Sequence, residues 1–325
     1  MLLVPILLFI LGLGLLIKGG DWFVDGATGV AHRFHIPELL IGATVVSIGT
    51  TLPEVMVSAT SAVGGHGEIA YGNAIGSIIC NTALIAAITV AVRPARIERS
   101  SLKLPVIFFF LAAIFYSVIA YTTGFFSYAV GAILLAIFVV YMVLSVLQAR
   151  RAPQPAEGEE QQTVSDKKWG LAKELGLLVL GAALIAVGAR LLVDNGIQIA
   201  EKLGVPEAVI ALTFVALGTS LPELVTAITS LVKGHGSLSL GNVIDANLFN
   251  LVLVSGVSTV LSPFAVPSSK LVLGVNSSLL IDIPVMLFVM AFLTLPALVR
   301  GKLSRWQGII LLGIYAAFCV LQFLL

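Results

Sequence analysis

The sequence predicts an all-α membrane protein of about ten transmembrane helices in two inverted five-helix repeats, with helices 2 and 7 broken at proline. Three observations carry this. Of 325 residues, 58% are hydrophobic and 11% charged, and the mean hydropathy is +1.08; a soluble domain carries roughly 25% charged residues. The apolar residues gather in runs on the order of 20 residues, long enough to cross a bilayer. The polar motifs inside these runs also occur twice, in the same order, once in each half of the chain.

The runs begin near Leu2, Leu39, Ile69, Leu104 and Tyr128, and again near Leu171, Val209, Leu238, Ser278 and Gln307. Residues 1–149 hold the first five and residues 169–325 the second five. Between them, residues 150–168 read RRAPQPAEGEEQQTVSDKK. This stretch is charged, contains proline and is poor in large apolar side chains, so it reads as a solvated linker. The opening run, LLVPILLFILGLGLL, lacks the basic start and small-residue cleavage site of a secretory signal, and is read as a retained helix. Cys80 and Cys319 both lie in apolar runs and suggest neither a disulfide framework nor a zinc site. A net charge of +1 implies no nucleic-acid partner.

Loop charges orient the chain. With the N-terminus outside, inner loops hold Arg33, Arg93, Arg96, Arg99, Lys103, Arg150, Arg151, Lys167, Lys168, Lys233, Arg300, Lys302 and Arg305, while outer loops hold Lys202 and Lys270. Positive charge favours the cytoplasmic side, so both termini are expected outside a plasma membrane and the linker in the cytoplasm.

The internal repeat fixes the architecture. GATVVSIGTTLPEVMVSATSAVGGHG from Gly42 aligns with ALTFVALGTSLPELVTAITSLVKGHG from Ala211. Upstream, FVDGA at Phe23 matches LVDNG at Leu192, and IPE at Ile36 matches VPE at Val205; downstream, YGNAIGSIICN at Tyr71 matches LGNVIDANLFN at Leu240. Each half has an odd number of spans, so the second enters the membrane in the opposite direction. Inverted repeats of this kind build many secondary transporters.

The chemistry concentrates in the repeat. Glu54 and Glu223 each follow a proline inside an apolar run, and an ionisable group at bilayer depth usually marks an ion or substrate pathway. A lone glutamate could equally be a helix-end or structural carboxylate; two at matched positions weigh against that. Pro53 and Pro222 cannot donate to the carbonyls of Gly49 and Gly218. Irregular backbone at this depth is tolerated where it lines a buried or wet cavity, although a bare kink would be weak evidence. Ser47, Thr50, Thr51, Glu54, Ser58 and Ser61 share one helical face, as do Thr219, Ser220, Glu223, Thr226 and Ser230. Outlying hydroxyls on such a face often just bond the preceding turn; Thr50, Thr51, Thr219 and Ser220, beside the break, are the expected ligands. The following spans place Asn73, Ser77 and Asn81 on one face, and Asn242, Ala246 and Asn250 on its counterpart. Asn81 and Asn250 are candidate ligands; for Asn73 and Asn242, ligation and helix-to-helix bonding weigh evenly. The pooled set is carboxylate, hydroxyl, amide oxygen and backbone carbonyl, which suits calcium and other hard cations.

GTTLPE and GTSLPE, each followed by a helix with paired asparagines, resemble the alpha repeats of the sodium/calcium exchangers in the cation/calcium antiporter superfamily. DWFVDGA at Asp21 resembles that family's first helix, and the likeness runs over nearly the whole chain. The proton-coupled branch typically carries a GNATEL-like motif instead, so the resemblance is to sodium-coupled members, and the short linker is similar to compact prokaryotic ones. It implies a central site of Glu54 and Glu223 with Thr50, Thr219, Asn81 and Asn250. It implies flanking sodium sites that use Ser77, Thr51, Ser220 and the carbonyls of Ser47 and Ala216. It further implies that the first and sixth helices slide against the rest, with no cofactor beyond the transported calcium and sodium.

Three departures stand out. Asn250 replaces the aspartate of potassium-dependent relatives, Ala246 stands where a serine normally mirrors Ser77, and Asp245 stands where glycine is usual. On an ideal helix Asp245 lies about 100° from Ala246 and about 140° from Asn250, so it is expected to miss the central site while remaining a possible vestibule residue. Other charges read as structural. Asp282 is expected at the outer membrane edge, Lys18 with Asp21 and Arg190 with Asp194 as helix neighbours, and His66 and His235 as solvated turn residues.

The expected function is sodium/calcium antiport by alternating access, by a monomer in a lipid bilayer. Rival readings are the same fold coupled to protons or another cation, and a cation channel, which would more naturally use symmetric subunits around a pore. No H-E-x-x-H motif and no G-x-S-x-G with a plausible partner points to an enzyme.

Overall fold

The computed structural model describes residues 2–33, 47–94, 99–151, 170–232 and 236–324. The linker beyond Arg151, IPE at Ile36 and His235 lie outside the described residues. Twelve helices in chain order organise the description. They are α1 (Leu3–Arg33), α2 (Ser47–Thr50), α3 (Leu52–Val63), α4 (Gly67–Val92), α5 (Arg99–Thr122), α6 (Tyr128–Arg151), α7 (Leu171–Leu203), α8 (Glu207–Thr219), α9 (Leu221–Val232), α10 (236–261), α11 (Ser278–Arg300) and α12 (Arg305–Leu324). Among the described residues, eight helices are long and apolar enough to cross a membrane, in α1, α4, α5, α6, α7, α10, α11 and α12. The apolar helices α3 and α8 are shorter, and each meets its partner at a break. The span starts expected near Ile69, Leu104, Val209, Leu238 and Gln307 fall within a few residues of the observed helix starts.

Burial sorts the helices into a centre and a shell. The spanning windows of α4 and α10 are each 78% buried, whereas that of α12 is 22% buried. A helix apolar on every face belongs in a core. Here Tyr71, Ile75 and Ile78 of α4 and Leu248, Phe249 and Leu251 of α10 pack with Phe109 of α5 and Met286 and Met290 of α11. The outward faces of α1, α6, α7 and α12 expose leucine, valine and isoleucine, a surface suited to lipid.

α1 and α7 form their own layer. Phe9 and Leu16 pack with Ile185, Leu192 and Val193, and with Ile210 and Val215 of α8. The two helices run antiparallel with their backbones in contact. A Cβ on Gly12 would stand 2.9 Å from the Gly188 carbonyl oxygen, and one on Gly19 would stand 2.8 Å from that of Gly181. The closest approach at these glycines is to backbone, with Leu191 and Leu184 flanking it.

Two short ribbons close the loops. β1 (Phe125–Phe126) pairs antiparallel with β2 (Phe264–Ala265), with Phe125 opposite Ala265. β3 (Leu271–Val272) and β4 (Val275–Asn276) form a hairpin around Leu273 and Gly274, both at positive φ, as a tight two-residue turn requires.

Candidate cation site

Both prolines break their helices as the sequence leads one to expect. Thr51 separates α2 from α3 at φ −87° and ψ −5°, and Ser220 separates α8 from α9 at φ −86° and ψ 7°. The Thr51 N–H turns back to the Ile48 carbonyl at 3.2 Å, and the helix resumes with the Val55 N–H on the Thr51 carbonyl at 3.0 Å. At the second break the Ser220 N–H donates to the Ala216 carbonyl at 3.1 Å and the Leu224 N–H to the Ser220 carbonyl at 3.1 Å. The backbone angles match at the two breaks, although the N–H reaches three residues back at Thr51 and four at Ser220, and each break carries its glutamate, Glu54 or Glu223, in the first turn that follows.

Glu54 is fully buried, and neither of its carboxylate oxygens has a protein hydrogen-bond partner. Glu223 lies close enough for its charge to act on Glu54, and its Oε2 is likewise buried without a partner. The same holds for Ser77 Oγ, Ser220 Oγ, Asn250 Oδ1 and both polar atoms of Asn81. An unpartnered buried polar group costs about 1–3 kcal/mol, and a charged one more. Six such side chains together rival the whole stability of a typical domain, about 5–15 kcal/mol. Oxygens gathered at that cost fit a ligand that supplies the missing interactions. The set is hard-oxygen throughout, which matches a calcium or sodium ion as substrate.

Asn81 and Asn250 share a further feature. Each opens a stretch of π-helix, Asn81–Ala86 in α4 and Asn250–Val254 in α10. A π turn widens the helix and appears frequently at functional sites. Propensity gives no sign of this, and only the matched asparagines mark the two positions.

Asn73 holds the site together. Its Nδ2 donates to the Glu54 carbonyl at 3.2 Å and to Ser58 Oγ at 2.8 Å. Its Oδ1 accepts from Thr219 Oγ1 at 3.1 Å. One amide on α4 therefore ties both broken segments together at the level of the glutamates. Its counterpart Asn242 is exposed, so the two halves differ here. Thr51 and Thr219 are buried, while Thr50 is partly exposed. Ser61 Oγ bonds the Ser58 carbonyl at 3.0 Å, the local role expected of an outlying hydroxyl. The Ser47 side chain and those of Thr226 and Ser230 lie outside the described residues.

Asp245 turns away toward α6, where the Tyr141 hydroxyl donates to its Oδ1 at 2.6 Å. Ala246 is buried, and its methyl side chain offers no oxygen. The residue that sequence reasoning missed is Asn247. It is fully buried, its Nδ2 donates to Thr82 Oγ1 at 2.8 Å and to Met290 Sδ at 3.1 Å, and its Oδ1 has no partner. Comparing the halves hides it, because its counterpart is Ile78; an amide inside an apolar run was the available signal.

Two peripheral residues behave differently from expectation. Asp282, expected at a membrane edge, is only 1% exposed and accepts a 2.7 Å bond from Gln322 Nε2. Lys270 donates to the Gln322 carbonyl. Burial draws the Lys270 ammonium below the usual lysine range, and the Asp282 charge opposes that shift. His66, expected as a solvated turn residue, holds both Glu207 carboxylate oxygens at 2.9 Å. Arg190 and Asp194 form the expected helix-neighbour pair at 3.6 Å, while Lys18 lies over the Trp22 ring, 5.6 Å from its centroid.

Comparison with known proteins extends this geometry. The sodium/calcium exchanger protein family model matches residues 4–147 and 173–324. The sodium/calcium exchanger MaX1 of Methanosarcina acetivorans is 31% identical over 99% of both chains. A putative antiporter, CaxA of Alkalimonas amylolytica, is 34% identical, again over 99% of both. Among solved structures, the sodium-calcium exchanger NCX_Mj soaked with 2.5 mM Na+ and 0.1 mM Sr2+ superposes with a TM-score of 0.64, at 32% identity over 98% of each chain. The same exchanger at zero Na+ and Ca2+ gives 0.60. With both halves of the chain matched, and with the paired breaks lying within the matched segments, the protein belongs to the sodium/calcium exchanger family.

Proposed function

We propose that this chain exchanges sodium for calcium across a membrane at one shared site between α3, α4, α9 and α10. The observation that carries the proposal is the pair of glutamates at matched helix breaks, Glu54 fully buried and Glu223 half-buried with its Oε2 enclosed, beside amide and hydroxyl oxygens without protein partners. Glu54 and Glu223 supply the charge. Thr50, Thr219, Asn81 and Asn250 complete the calcium shell, and Ser77, Thr51, Ser220 and the carbonyls of Ser47 and Ala216 hold sodium at the flanks. Asn73 positions the two breaks against each other rather than binding an ion.

The exchange follows from charge. Two ionised carboxylates cannot cross a bilayer interior cheaply. Either one divalent ion or monovalent ions can neutralise them, so the loaded site can reorient and the bare site cannot. α1 and α7 form the moving layer, and their close glycine-lined approach at Gly12, Gly19, Gly181 and Gly188 supports sliding. With the two broken pairs counted as spans, the chain has ten helices in two inverted repeats; the antiparallel run of α1 against α7 supports the inversion. The β1–β2 pair and the His66–Glu207 bond join loops on the outer face. Arg305 reaches the Val92 carbonyl on the cytoplasmic face. The protein acts as a monomer in the plasma membrane.

The test is uptake of radioactive calcium into sodium-loaded proteoliposomes. Uptake should require the outward sodium gradient and fall at least about tenfold in Glu54→Gln and Glu223→Gln, since each removes a charge the ion needs. Uptake driven by a pH gradient and indifferent to sodium would move the protein to the proton-coupled reading.

A further inference from the structure

Two thiols meet on the far side of α4 from the glutamate pair's own partners. α12 runs back along α4: Arg305 donates to the Val92 carbonyl at 3.3 Å, and a Cβ on Gly308 would stand 2.5 Å from the Ala87 carbonyl oxygen. This pairing carries Cys319 to the level of Cys80, and the Tyr315 hydroxyl is hydrogen-bonded to both thiols. Cys80 is fully buried and stands immediately before Asn81, where the π turn of α4 begins. Cys319 is half-buried beside the exposed Val320. These are the chain's two cysteines, and both are free.

The sulfur chemistry narrows the ligand. Thiolates select soft cations. A disulfide needs its sulfurs about 2.05 Å apart, whereas here one phenol oxygen is bonded to each, a span that suits an ion between them. Zinc takes four ligands, and the described residues gather no third histidine, cysteine, aspartate or glutamate at this place. The ion that fits is content with two sulfurs and carries two charges, as Hg2+ does. Two thiolates cancel that charge, and a neutral complex is the form that apolar surroundings tolerate.

We infer that Cys80 and Cys319 together bind one soft divalent cation of the mercuric type, and that the bridge stops transport. Binding from neutral HgCl2, which enters from the lipid side at Cys319, forms two Hg–S bonds and breaks two Hg–Cl and two S–H bonds. Two protons and two chloride ions leave, and nothing is oxidised or reduced. The bridge ties α12 to α4 one residue before Asn81 and so fixes the π turn that carries this ligand. The loss of transport rests on the exchange reading above; the binding does not.

Retention of radioactive mercury by the purified full chain, in detergent with excess competing monothiol, tests the binding. The unaltered protein should keep one ion per chain. Two ions, or none, would mean that the thiols act separately and overturns the site without recourse to any variant. Cys80→Ala and Cys319→Ala should each weaken retention about a hundredfold or more, because the second bond is no longer intramolecular; retention unchanged in either variant also overturns it. In proteoliposomes, one equivalent of HgCl2 should stop sodium-driven calcium uptake, a dithiol should restore it, and Cys319→Ala should be spared. Uptake that continues with the bridge in place overturns the effect on transport. A protein without sodium-driven uptake before mercury is added removes the exchange reading instead and leaves the mercury site standing.

Discussion

Asn73 shows how one side chain can organise a site it need not ligate. Its amide bonds the Glu54 backbone, the Ser58 hydroxyl and the Thr219 hydroxyl. Asn73→Ala removes all three; Thr219 keeps the Val215 and Ala216 carbonyls as acceptors, while the buried Ser58 hydroxyl loses its donor, at about 1–3 kcal/mol for each group left without a partner. A destabilisation of about 2–4 kcal/mol is expected, read as a lowered melting temperature in detergent. Calcium should restore part of it, because the carboxylates remain. Asn73→Asp separates bonding from volume: it keeps the acceptor for Thr219 and loses the donor, so a loss similar to that of alanine would assign the role to the donated bonds. Residue by residue, the sequence exposed what was doubled. Glu54 and Glu223, Asn81 and Asn250, and the two prolines were legible because each occurs twice at matched positions. Asn247 was not, since Ile78 holds its place in the other half, and the bracket made by Asn73 depends on a long-range approach of α8 that periodicity cannot supply.

At the scale of elements, the breaks and the α1–α7 seam are the distinctive devices. Pro53→Ala restores an N–H that can re-form a bond to the Gly49 carbonyl and continue the helix through Thr51. Calcium affinity should fall about tenfold or more as the backbone straightens, while thermal stability holds or rises. Equal loss of affinity and stability would argue that the proline serves packing instead. On the seam, Gly19→Leu places a side chain where a Cβ already meets the Gly181 backbone at 2.8 Å. Overpacking of this kind typically costs about 1–3 kcal/mol. The expected outcome is transport slowed far more than equilibrium calcium binding is weakened, measured on the same protein. Apart from the run near Leu39, which lies outside the described residues, the helix starts were legible from apolar runs to within a few residues. The π turns at Asn81–Ala86 and Asn250–Val254 were not, because an i to i+5 turn reflects packing around an inserted residue rather than local propensity.

For the whole molecule, composition announced an all-helical membrane protein, and three-dimensional burial explains why the site sits where it does. α4 and α10 are apolar on nearly all faces and fill the centre, so most of their polar residues are enclosed, Asn73, Ser77, Asn81, Asn247 and Asn250 among them. Asp282 illustrates the limit of loop-edge reasoning: it was expected at the outer membrane edge, and Gln322 from α12 gives it a buried partner. The orientation makes its own prediction. In a background with Cys80 and Cys319 replaced by alanine, Ser127→Cys should react with an impermeant thiol reagent from outside intact cells, and Ser165→Cys only after the membrane is opened. The reverse pattern would invert the topology.

The central claim is that sodium and calcium use one glutamate-paired site, and competition binding on the purified protein tests it most directly. Calcium bound to the solubilised protein should be displaced completely by sodium, cooperatively, and Glu54→Gln and Glu223→Gln should each abolish the calcium that sodium displaces. Calcium that stays bound at saturating sodium, or that persists in both variants, would contradict the account.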